Sequence, residues 1–162
     1  MQFKTEVTHH LNLSEHADVL RLVNVHRSPA TIQRNFGLYI NDGNDEGVCS
    51  SFSMSKGSVD DLVVGEMTTA TYSGGVLRNV SVQPDGHLYI TMYGQPIIDE
   101  IHVKSHGVLH ITYKQTLEQL VDVCKFYFDV GSQLLVESTI YPIEEETDIY
   151  KLVRNIIHTK EK

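Results

Sequence analysis

Up to Lys114 the apolar residues of this chain fall mostly at every second position, and beyond it they recur at helical spacing. That change of period constrains the fold more than any single motif. Alternation builds strands with one face in a core and one in water. In the run from Ile32 to Ile40, Ile32, Phe36, Leu38 and Ile40 share a face while Gln33, Asn35 and Asn41 take the other; Val19 to His26 is a second β-rich run. Val76 to Val82 and His87 to Tyr93 flank Gln83-Pro84-Asp85-Gly86. Proline presets a turn dihedral, aspartate bonds locally and glycine accepts positive φ, so this segment is expected to be a hairpin. A further hairpin is expected from the register in which Ile101 faces Ile111 and Val103 faces Leu109, with an odd loop centred on His106. That register sets His102 opposite His110.

After Lys114, Leu117, Leu120, Val121, Cys124, Tyr127 and Phe128 predict a helix that Thr116 would cap and Gly131 would end. A strand through Cys124 to Val130 is the competing expectation. Leu134 to Ile140 reads as a strand. Ile149, Leu152, Val153, Ile156 and Ile157 then form a helical stripe with Glu144, Glu145, Glu146 and Asp148 near its start and Lys160 and Lys162 beyond its end, matching the helix dipole. No fixed-period repeat, low-complexity tract or linker divides the chain. The expected fold is one domain over 1–162, mainly β. It is an antiparallel β-sandwich of hairpins (β-rich 1–115) with one or two C-terminal α-helices in a mixed part, 116–162.

A chain of 162 residues with 41% hydrophobic residues can bury a core. Its apolar runs never exceed three residues and its amino terminus lacks a basic flank and hydrophobic stretch, so neither a membrane span nor a secretion signal is expected. The formal charge of -8 argues against general nucleic-acid binding, which relies on neutralising phosphates. Cys49 and Cys124 read as free thiols or one optional bridge.

Nine histidines draw attention first. Facing His102 and His110 are candidate metal ligands, but no third ligand is placed, so no metal or cofactor is expected. His26-Arg27-Ser28 and His110-Ile111-Thr112 match the paired H-x-[ST] pattern in which two imidazoles act as acid and base, which makes a small two-histidine phosphoesterase-like hydrolase the alternative function. There is no nucleophile elbow, phosphate-binding glycine loop or H-E-x-x-H. Between Asp42 and Glu66, six acids (Asp42, Asp45, Glu46, Asp60, Asp61 and Glu66) face one Lys56. This segment and the stripe through Ile149, Leu152, Val153, Ile156 and Ile157 are the candidate contact surfaces.

The segments VLRLVNVHRSPATIQRNFGLYINDG and VSVQPDGHLYITMYG resemble patterns in β-sandwich structural proteins of tailed bacteriophages. The resemblance covers about a quarter of the chain. It implies a non-enzymatic virion part, such as a decoration, head-to-tail joining or tail protein. Such a protein would bind other copies of itself and other virion proteins, with no membrane partner, and would be assembled in the host cytoplasm. It carries over no functional residues.

Overall fold

A computed structural model describes residues 16–22, 51–65 and 68–158. The expected antiparallel sandwich is not what forms. Among the described residues, eleven strands make two sheets that are parallel throughout except for one pair, and from β2 to β10 the chain passes from one sheet to the other at every corner, a β-solenoid. One sheet holds β1 (His16–Leu22), β3 (Ser58–Val64), β5 (Val76–Val82), β7 (Ile97–Val103) and β9 (Lys125–Phe128). The other holds β2 (Ser51–Met54), β4 (Thr69–Tyr72), β6 (His87–Ile90), β8 (Val108–Ile111), β10 (Gln133–Val136) and β11 (Thr139–Pro142). Among the described strands only β11 runs antiparallel, against β10.

The expected hairpin at Gln83–Gly86 is a corner. β5 and β6 lie in different sheets, and β5 pairs with β3 and β7 instead. The same holds for β7 and β8, so His102 and His110 never face each other. Proline explains the first case. Pro84 holds φ near -65°, whereas the two-residue turns that close tight hairpins need a positive φ at that position.

A repeat also emerges that residue identity conceals. Ser51, Thr69, His87, Val108 and Gln133 occupy one register line, at spacings of 18, 18, 21 and 25 residues. From β3 onward, each corner leaving the five-stranded sheet spans four residues: 65–68, 83–86, 104–107 and 129–132. Each is closed by a bond from its fourth amide to its first carbonyl, at 3.2, 2.9, 2.8 and 3.1 Å. The third position has positive φ wherever described: Asp85 at 65°, His106 at 69° and Gly131 at 95°. Gly131 therefore serves this corner and not a helix end. From β2 onward, the opposite corner absorbs the variation in length, spanning 55–57, 73–75, 91–96 and 112–124.

Between the sheets lies one continuous core. Val59, Leu62, Val64, Leu77, Val80 and Val82 enter it from one side, and Ala70, Tyr72, Leu88, Ile90, Leu109 and Ile111 from the other. Full burial of each aliphatic side chain contributes about 2 kcal/mol. The buried Tyr72 phenol is satisfied at the variable corner: it donates to the Gly75 carbonyl at 2.6 Å and accepts from the Ile97 amide at 3.0 Å.

The longest corner holds a helix, α1 (Lys114–Val121), which stops short of the expected Tyr127 and Phe128; the competing strand takes these two residues, as β9 over Lys125–Phe128. The helix starts ahead of Thr116, which is buried and donates to the Met92 carbonyl at 2.8 Å instead of capping. The second helix, α2 (Ile149–His158), is N-capped by Asp148, whose carboxylate accepts from the Lys151 amide at 3.2 Å. It covers the carboxyl-terminal end of the solenoid. Val153 and Ile156 join the core while Ile149, Leu152 and Ile157 pack against it. Among the described residues, no helix is long and apolar enough to cross a membrane.

Candidate functional site

In-register parallel strands line up equivalent outward side chains along the solenoid axis. On the six-stranded sheet one such line runs Ser53, Thr71, Tyr89, His110, Leu135, Ile140. Tyr89 and His110 are therefore direct neighbours, and their rings stack with centroids 3.9 Å apart and planes within 7°. His87 stands in the parallel line, next to Val108, and reaches diagonally across the strand boundary. Its Nδ1 lies 3.0 Å from Nε2 of His110.

At this separation one imidazole donates an N–H and the other accepts, so at least one ring must be neutral. Burial in the ladder, followed by the nearby His87, lowers the His110 imidazole from 6.5 to about 4. His110 is thus an uncharged acceptor or donor at neutral pH.

Beside the stack a shallow groove of about 220 Å³ is lined by Tyr89, His110, Thr112, Leu135, Glu137 and Ser138, with Ile111 at its floor. Its outer wall is the two-residue turn joining β10 to β11. Glu137 and Ser138 both have positive φ, 50° and 78°, in a turn type that favours Asn-Gly. Holding two such residues there costs of the order of 1 kcal/mol each. One anchor offsets this cost: Oε2 of Glu137 accepts from the Lys114 amide at 2.8 Å, fastening the turn to the start of α1.

The other histidine expected at a site lies elsewhere. His102 is on the outer face of the five-stranded sheet, where its Nε2 is 3.0 Å from Oδ1 of Asp129, in an exposed pair. The metal pairing expected for His102 and His110 is therefore absent, because the corner at 104–107 separates their strands into different sheets. His26, the intended partner of His110 in a two-histidine hydrolase, lies outside the described residues, as do Asp42, Asp45, Glu46 and Glu66.

Asp60 and Asp61 stand on the outer face of the five-stranded sheet. The Arg78 guanidinium reaches Asp60 at 3.8 Å and Asp99 at 3.3 Å, and the Asn79 amide donates to Asp61 at 3.3 Å. Two of the acids proposed as contact residues are thus matched within the chain. The stripe of Ile149, Leu152, Val153, Ile156 and Ile157 packs on the chain's own core, so α2 is a cap and not a free arm.

Sequence reading missed His87, Tyr89, Glu137 and Ser138. The coil spacing of 21 residues, which sets Tyr89 beside His110, is the signal that would have found the first two. Comparison with known proteins finds no matching family model, no similar curated protein and no similar solved structure.

Proposed function

We propose that this protein is a non-enzymatic structural component that works by burying its surface against other copies of itself or other structural proteins. One observation carries the proposal. Six of the eight large hydrophobic residues exposed among the described residues, Tyr113, Val123, Tyr127, Val130, Ile140 and Tyr150, lie beyond β8, in the last coil, the corner that leads into it and its cap. Ile140 and Val130 are more than half exposed. Ile140 sits on β11, the final strand of its sheet, whose outer edge offers backbone groups to another chain.

A solenoid suits such a role because each coil is fixed by its neighbours and the outer faces form flat lines of side chains. The resemblance of the sequence to phage structural proteins extends the proposal to a virion component. The second of the two resembling segments forms a solenoid corner, so that extension rests on sequence pattern alone.

Light scattering coupled to size-exclusion chromatography, run over a hundredfold range of concentration, tests the proposal. A mass that rises with concentration, and that Ile140→Lys or Val130→Lys returns to that of one chain, is the expected result. A strict monomer at every concentration that also joins no larger particle overturns it.

A further inference from the structure

We propose that His87 and His110 form a two-imidazole site for a divalent transition-metal ion, with Cu(II) preferred. This goes beyond the structural role above and stands independently of it.

The geometry supplies the argument. Nδ1 of His87 and Nε2 of His110 are 3.0 Å apart on neighbouring strands of a rigid parallel ladder. With metal–nitrogen bonds of about 2.05 Å, two nitrogens at that separation subtend roughly 94° at a shared ion. That angle suits adjacent positions of a square-planar or tetragonal centre, the arrangement that Cu(II) and Ni(II) favour. A tetrahedral zinc site would require the nitrogens to separate further. To bind, each ring swings slightly in its plane so that the two lone pairs aim at one point beside the line joining them.

Backbone and neighbours hold the rings ready for this. The Tyr89 ring lies flat on His110 and fixes its orientation, while His87 keeps its own tilt of 30° to His110. The proton count closes without a co-reactant. Two neutral imidazoles share one N–H in the contact; when the ion enters, the donating ring moves that proton to its other nitrogen, and both facing nitrogens become ligands. Outward neighbours on the flanking strands are Thr69 and Thr71 on β4 and Gln133 and Leu135 on β10, none charged; Glu137 lines the adjoining groove.

Among the described residues no cluster of three or more His, Cys, Asp or Glu side chains could hold a metal. The remaining coordination positions would be filled by water or by an exchangeable ligand, and the groove lined by Thr112, Glu137 and Ser138 lies alongside to receive it.

Titration of the full chain with Cu(II), followed by calorimetry and electron paramagnetic resonance, tests the site. His9 and His10 adjoin in sequence and could compete, so the experiment is run in a His9→Gln, His10→Gln background. The expected result is one equivalent of Cu(II) with a tetragonal spectrum split by two nitrogens. Affinity should fall more than tenfold in His87→Gln and in His110→Gln alike, with His102→Gln unaffected. Should His110→Gln fail to fold, His87→Gln, at a partly buried position, decides the matter alone. Affinity unchanged by the histidine substitutions, or a spectrum showing fewer than two imidazole nitrogens, overturns the site.

Discussion

The amide of Asp85 donates to the carbonyl of His106 at 2.9 Å, and both residues occupy the third position of successive corners with φ near +65°. The next coil repeats the relationship, since the His106 amide donates to the Gly131 carbonyl at 3.1 Å. One wall of the solenoid is thus a column of turns bonded to one another, and the left-handed backbone at its third position is a structural requirement. Glycine meets it without strain in the last corner; an imidazole-bearing residue meets it with strain in the corner before.

His106→Gly should accordingly stabilise the chain by about 1 kcal/mol, because the exposed ring is removed and the strained φ relieved at little other cost. A rise of a few degrees in Tm by calorimetry is the expected reading. An equal or lower Tm would show that the ring contributes more than its backbone costs.

Gly86 presents the opposite case. A Cβ at this position would lie 2.6 Å from the Val64 carbonyl oxygen and 2.9 Å from that of Gly65, both backbone atoms of the preceding coil. Gly86→Ala must push two coils apart, and a loss of about 2 kcal/mol or more is expected in urea unfolding.

Acid should weaken the fold through His110. Its folded value of about 4 lies below its ordinary value of 6.5, so between these limits the unfolded chain binds a proton that the folded chain refuses. Stability therefore falls as pH drops from about 6.5 to 4 and is insensitive to this ring above that range. With partial exposure allowed for, roughly 2 kcal/mol is at stake. Urea midpoints measured between pH 4 and 7.5 should drop less steeply in His110→Gln than in the unaltered chain.

The Cys124 thiol is buried, and burial above all, reinforced by the nearby negative charge of Asp99, pushes it up to about 12. A thiol so placed carries almost no thiolate at pH 8. Iodoacetamide labelling followed by peptide mass spectrometry should leave Cys124 unmodified in the native chain and modify it fully in denaturant.

Arg78 bridges Asp60 and Asp99 across three strands, yet all three side chains are well exposed. Such pairs in water contribute little, so Arg78→Ala is expected to shift stability by less than about 1 kcal/mol, and by less again in high salt.

Strand positions were legible in the sequence because alternation reports which side of a strand is dry. β5 runs from Val76 to Val82, as its alternation indicated, and Gln83–Gly86 is a turn. Alternation does not say which strand lies alongside. An inward row of Val80, Ile101 and Phe126 is equally apolar whether its neighbours run parallel or antiparallel. The discriminating signal was Pro84, whose fixed negative φ is incompatible with the tightest hairpin turns and compatible with a corner between sheets.

The ring cluster escaped for a related reason. His110 stood out by residue type, but its neighbour His87 is 23 positions away, a separation meaningful only once the coil length of 21 is known. Register positions along that line carry serine, threonine, histidine, valine and glutamine, so no recurrence of identity marks the period.

The two kinds of corner leave the chain unequal freedom to change. Where the four-residue turns stack, a single inserted residue would throw every later coil out of line. At the other corner three, six and thirteen residues have been accommodated without disturbing the ladders. New material, whether a grafted peptide, an affinity tag or a second small domain, should therefore be spliced between Thr91 and Pro96, where the architecture already tolerates an overhang.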